Sequence, residues 1–310
     1  MKTHWKFKVA SVLACICLTV GAGTAIAGTS TGKSTVNPTE PVSLDELTLD
    51  ESYVFSSPIQ FAGKKVGNGD ELHSSFDYLR RFPIKGSWYF QTGITYERFD
   101  FGGRISSPMG TLPDTLQTAN IPIGVAYIVE DRAGFLLQVR PGVNFEHDVN
   151  TGGFDIPVEI GGYIPIKKDK FYIVYGLGTS ILRQYPAIPT VGILWVINDD
   201  LQLYGYAPEP KLVYNVRDNL TVWIGGEVLE GSFRTDSGSA PASGKSINGT
   251  VVDYSEYRAG LGVTYTPVEN WDINFAAGYT LERDFDFYRA HKEYAADPAP
   301  YVRFQLNAQF

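Results

Sequence analysis

Along residues 301–310 apolar and polar side chains alternate without a break. Val302, Phe304, Leu306, Ala308 and Phe310 fall on one face; Tyr301, Arg303, Gln305, Asn307 and Gln309 fall on the other. A period of two is that of an extended strand with one greasy and one wet side. The same alternation recurs upstream. In 88–97, Trp88, Phe90, Ile94 and Tyr96 oppose Tyr89, Gln91, Gly93 and Glu97. In 271–282, Trp271, Ile273, Phe275, Ala277, Tyr279 and Leu281 oppose Asp272, Asn274, Gly278, Thr280 and Glu282. Fourteen runs of this kind are predicted: 53–61, 71–81, 88–97, 121–129, 135–145, 154–166, 171–181, 188–197, 201–206, 211–217, 220–229, 255–266, 271–282 and 301–310.

The connections come in two sizes. Turns at 83–86, 130–132, 167–170, 198–200, 217–219 and 268–270 are short, whereas 101–115, 147–153, 235–249 and 284–299 are longer. Short turns at one end and long loops at the other are what a transmembrane barrel shows, with polar residues inside and an aromatic-edged apolar band outside. The predicted fold is therefore all-β, an antiparallel up-and-down transmembrane barrel of about 14 strands. Twelve is the alternative if Pro208 and Pro210 mark a bend in one strand rather than a turn between two.

Composition agrees with strands. Of 310 residues, 19 are Tyr, 18 Phe and 32 Gly, and only 19% are charged. The N-terminus reads as an export signal: Lys2, Lys6 and Lys8, an apolar run over 9–20, and the A-x-A site Ala25-Ile26-Ala27. Cleavage is expected between Ala27 and Gly28. The domain organisation expected is 1–27 signal peptide, 28–50 flexible periplasmic tail and 51–310 barrel. Both cysteines, Cys15 and Cys17, lie in the signal, so no disulfide is expected. The formal charge of −8 argues against nucleic acid as a partner. The final strand resembles the C-terminal signal strand of bacterial outer-membrane barrels. That resemblance implies Phe304, Leu306 and Phe310 as an assembly signal for the barrel-assembly machinery. The expected location is the cell outer membrane, with its lipid and lipopolysaccharide as partners.

A charge on the lipid face at mid-depth costs about 2–4 kcal/mol, so charges in strand middles are assigned to the lumen. Arg140, Glu159, Glu227, Arg258, Glu282 and Arg303 are the candidates. Two readings of such a lumen stay open: a water-filled channel with a charged ring, or a narrow interior filled by paired charges. Chemistry for an enzyme is sparse. After the signal only His73, His147 and His291 remain, in no metal-binding spacing. Gly28-Thr29-Ser30-Thr31-Gly32 matches G-x-S-x-G but lacks the strand–helix context that motif needs. His147 reads as a solvated loop residue, and Asp284, Asp286, Glu293 and Asp297 as a solvated acidic loop. No catalytic residue, metal or cofactor is expected.

The stretches 189–200, with Ile197-Asn198-Asp199, and 208–218, with Pro208-x-Pro210-x-Leu212-x-Tyr214, resemble a family of bacterial outer-membrane barrels of unknown function. That resemblance implies the barrel and no activity. The expected function is a passive pore or transport barrel. The alternatives are a structural or surface-interaction barrel with a plugged lumen, and an outer-membrane lipid hydrolase, which the scarce histidines disfavour.

Overall fold

The computed structural model describes residues 43–310, apart from 104, 108–109, 130–131 and 238–245. The expected signal and its cut at Ala27–Gly28 lie outside the described residues. Fourteen antiparallel strands close into one barrel. They are β1 Asp45–Phe61, β2 Lys64–Lys85, β3 Trp88–Phe101, β4 (Thr115–Asn120 with Ile123–Tyr127), β5 (Gly134–Val139 with Gly142–Phe145) and β6 (Phe154–Asp155 with Val158–Lys167). Then come β7 Phe171–Thr179, β8 Ala187–Val196, β9 Leu201–Gly205, β10 Lys211–Arg217, β11 Leu220–Arg234, β12 Val251–Val268 and β13 Trp271–Phe287. The last is β14, Lys292–Ala296 with Pro300–Gln309. Pro208 and Pro210 do separate two strands, so the count of 14 holds and 12 does not.

Closure joins β1 to β14, with Glu46 opposite Gln309 and Val54 opposite Tyr301. The first strand starts at Asp45, inside the segment expected to be a free tail. The seam explains why: Leu49 and Asp50 pair with Leu306 and Gln305, so this stretch supplies the last edge of the ladder. Pairing the first strand with the last leaves neither of them as a free sheet edge.

The outer face is apolar, with Leu261, Phe275, Leu281 and Val302 exposed. At the rim that carries the short turns, here the lower rim, aromatic rings pack in pairs. Trp271 meets Phe310 at 5.9 Å, and Trp88 meets Tyr127 at 4.9 Å. The wall is uneven. β1, β2, β12 and β13 run 17, 22, 18 and 17 residues, whereas β7 to β10 run only 9, 10, 5 and 7. Three neighbouring strands are also broken at proline, at Pro122, Pro141 and Pro157. Proline cannot donate to the ladder, and here each one's carbonyl still accepts, from Gly93, Ile121 and Arg140.

Two sequence expectations change. The 284–299 segment is not a long loop: β13 continues to Phe287 and returns after a short turn as β14, with Asp286 opposite Glu293. Glu282 faces outward and is exposed, not in the lumen. A bulge causes this. The partner of Tyr257 is Glu282 and that of Arg258 is Thr280, so Leu281 is the extra residue. One extra residue reverses the in–out phase above it, and Arg283 turns inward instead.

Candidate functional site

The interior is layered. Near the upper rim an apolar cap fills it: Phe99, Leu116, Phe233, Tyr254, Phe285 and Tyr294 from strands, with Ile105, Leu112 and Ile247 from the upper loops. Below lies a layer of buried charge. Arg258 has a fully buried side chain. Its Nε donates to Glu256 Oε1 at 2.7 Å and its Nη1 to Ser52 Oγ at 2.8 Å, while Glu71 and Glu227 each lie 3.4 Å away. Its guanidinium also sits 5.1 Å from the Tyr301 ring centre. Ser52 and Glu71 belong to β1 and β2, so Arg258 on β12 reaches across the inner faces of β13 and β14 rather than staying at its own place on the wall.

Arg303 on β14 binds Asp50, reaches Glu209 at 3.1 Å, and meets Glu227 at 3.1 Å. Arg283 donates to Ser57 at 3.0 Å and to Glu71 at 3.4 Å. The Tyr254 hydroxyl lies within hydrogen-bond reach of both Glu71 and Glu256, and its single proton serves one of them at a time. Arg140 meets Glu159 at 3.2 Å, and His73 meets Glu97 at 2.9 Å. Of the predicted lumen residues, Arg140, Glu159, Glu227, Arg258 and Arg303 thus lie inside, all buried. Asp50, Glu71, Glu209, Glu256 and Arg283 belong to the layer without being among the predicted residues, and three of them show why. Glu71 sits where the alternation of β2 is irregular, and Arg283 lies beyond the bulge. Glu209 comes from the Pro-Glu-Pro turn and folds inward to Lys211 at 3.1 Å; a carboxylate two residues before a lumen lysine was the available signal.

Toward the lower rim, on the side of the short strands, a second apolar cluster occupies the interior: Tyr163, Tyr172, Val174, Leu194, Tyr204 and Val213. Between the cap and this cluster, bounded by β3 to β7 on one side and β11 on the other, a polar cavity remains. It encloses about 640 Å³ between atoms, its open mouth included, and its charged lining is Glu97, Arg140, Asp155, Glu159, Arg183 and Glu230.

At the upper rim His147 is not the solvated loop residue expected. Its Nε2 lies 2.9 Å from Asp114 Oδ1 and its Nδ1 3.0 Å from Asp236 Oδ2, with Glu146 at 3.9 Å. Two ring nitrogens facing carboxylates are both satisfied only by the imidazolium. Partial burial pushes the pKa down, but the Asp236 hydrogen bond and the charges of Asp114, Glu146 and Asp236 outweigh it and raise it above the usual 6.5. Asp114, Glu146 and His147 each place one ligand atom within 4.8 Å of the others, so this trio is where a divalent ion could sit.

The predicted assembly-signal residues Phe304 and Phe310 are exposed on the outer face, Phe304 against Phe275 at 5.1 Å, and Leu306 is half-buried. The Phe310 carbonyl accepts from the amides of Leu44 and Asp45 at 2.9 Å.

No protein-family model and no curated protein sequence matches the chain. Solved structures of similar shape are outer-membrane channels. One from Pseudomonas putida F1 is 11% identical at a TM-score of 0.47, over 92% of this chain and 100% of that one. The toluene transporter TodX of Pseudomonas putida is 9% identical at 0.39, over 94% and 95%. The KdgM porin is 8% identical at 0.33, over 85% and 99%.

Proposed function

We propose that the protein is an outer-membrane transport barrel of a Gram-negative cell, exported by a cleaved signal and shut along its axis in the conformation described. The observation that carries this reading is the polar cavity beside the charge layer, which leaves part of the interior unfilled among the described residues. The upper rim then faces the cell exterior, and the lower rim and chain end face the periplasm. The preferred solutes are cations. Among the interior groups named above, Asp50, Glu71, Glu97, Asp155, Glu159, Glu209, Glu227, Glu230 and Glu256 outnumber Arg140, Arg183, Lys211, Arg258, Arg283 and Arg303. A channel lined by an acidic excess favours cations.

Phe304, Leu306 and Phe310 present the outward face of β14 to the assembly machinery, and the apolar band contacts lipid and lipopolysaccharide. A second reading, a structural barrel with a permanently plugged lumen, is favoured by the dry pairing around Arg258. Planar-bilayer recording separates the two. Rare, small, cation-selective steps are expected from the wild type, and frequent larger ones from Arg258→Ala. Silence from both, with no solute flux into proteoliposomes, would leave the plugged barrel.

A further inference from the structure

Strand β11 leaves the wall. Its lower half pairs with β10 from Leu220 to Gly225, and the amides of Gly226 and Val228 still donate to Pro210 and Pro208 at 2.8 and 2.9 Å. Its tip crosses to β5 instead, where Arg234 pairs with Phe145. Between these points, from 229 to 233, no described strand pairs with that edge. An unpaired strand edge at membrane depth is tolerated only where it lines a wet cavity or is covered by protein. Both conditions hold here. Glu230, Gly231, Ser232 and Phe233 line the polar cavity. Loop 180–186, which follows the short β7, lies across the gap like a strap: the Gln184 amide donates to Asp253 on β12 at 3.1 Å, and Tyr288 donates to the Leu182 carbonyl at 2.7 Å.

The height of this gap is informative. Glu230 is ten residues above the lower end of β11. At a rise of about 3.3 Å per residue and a tilt of about 40°, that is about 25 Å, the height of the apolar band of such barrels. The gap therefore opens at the outer boundary between acyl chains and headgroups. Its two sides differ in chemistry. The strap carries Arg183 into the cavity, where its charge acts on Glu159, Glu230 and Asp253. Next to the cavity, and sharing Glu159 with it, is an open apolar recess lined by Leu136, Val174, Leu177, Val191 and Tyr206. Val191 in this lining is 67% exposed, and Ile181 on the strap is 73% exposed.

We propose that the gap between β11 and the 180–186 strap is a side doorway and binding site for a cationic amphiphile, whose amine or ammonium head replaces Arg183 among Glu159, Glu230 and Asp253 while its chain enters the recess. This deepens the transport reading and rests on it for passage, though not for binding. The strap supplies its own cation in the resting state, so Arg183 competes with the ligand.

The test uses the full mature barrel in lipid vesicles with a spin-labelled alkyltrimethylammonium, and the alkyl sulfate of equal length as control. The electron-spin spectrum reads the immobilised fraction. Preference for the cationic label is expected. Glu230→Gln should weaken it about two- to fivefold, the size of one partly exposed charge pair, and Arg183→Ala should strengthen it by a similar factor. A purely structural arginine would not give that opposite sign. Gln184→Cys with Asp253→Cys, oxidised to pin the strap, should lower binding below the level of the same double variant reduced. Equal immobilisation of both labels, or no effect of pinning, would overturn the doorway. Bilayer conductance is recorded on the same samples. Conductance without binding leaves transport standing and removes the doorway; binding without flux keeps the site and removes transport.

Discussion

Replacing Arg258 with alanine is the sharpest probe of the interior. The change strands carboxylates unequally. Glu71 keeps Arg283 at 3.4 Å, and Glu227 keeps Arg303 at 3.1 Å. Glu256 keeps the Tyr254 hydroxyl at 2.8 Å, a hydrogen bond with Glu71 and the more distant charge of Arg283, but loses its ion pair at 2.7 Å, which is with Arg258. The loss therefore concentrates on Glu256, the one buried carboxylate of the three whose close ion pair is with Arg258. Breaking a buried pair from one side costs about 3–5 kcal/mol, whereas removing both partners costs far less. Arg258→Ala should fall in that range, and adding Glu256→Gln should recover about 2–3 kcal/mol of it. The measurement is urea unfolding of the refolded barrel in vesicles, followed by tryptophan fluorescence and by the folded band on unheated gels. A loss under about 1 kcal/mol, or no recovery in the double variant, would mean that water already screens this layer. The case for an axial barrier would then fall.

Three further outcomes are expected. A cysteine at Glu282 should react with a membrane-impermeant maleimide added to whole cells, and one at Arg283 should not; the reverse pattern would remove the bulge at Leu281. His147 has a folded pKa raised above 6.5, so its tie to Asp114 and Asp236 is complete below pH 6.5 and is lost as pH rises through the raised value. Protease nicking of loop 102–114 should therefore increase from pH 6 to pH 9 in the wild type and stay flat in His147→Gln. Deleting Phe310 removes the acceptor for two amides and the ring against Trp271; the folded, membrane-inserted fraction should drop severalfold on heat-modifiability gels, and unchanged yield would dismiss the assembly role.

Much of the barrel was legible because lipid enforces a strict rule. Wherever both faces of a strand see uniform surroundings, as in β12 and the Pro300–Gln309 part of β14, the alternation names the inward residue directly, and Arg258 and Arg303 follow. Legibility fails where the period itself breaks. The extra residue at Leu281 carries no chemical mark, so Glu282 and Arg283 exchanged sides unannounced. Glu209 was hidden in a turn, because a turn has no face until its neighbours are placed. His147 could not be read because its partners Asp114 and Asp236 lie far off in the chain and meet it only through loop packing. The parting of β11 from β10 depends on which strand its tip reaches, a long-range choice absent from any local pattern.

The seam between the first and last strands has a consequence for biogenesis. Arg303 and Asp50 meet across it, one from each end of the ladder. Suppose the last strand docked one residue out of step. Its guanidinium would point at acyl chains, costing about 2–4 kcal/mol, and the opposite carboxylate would be left alone. Mis-stepped cylinders would thus be penalised before release, so this pair works as a key that lets the folding chain check its own final stitch.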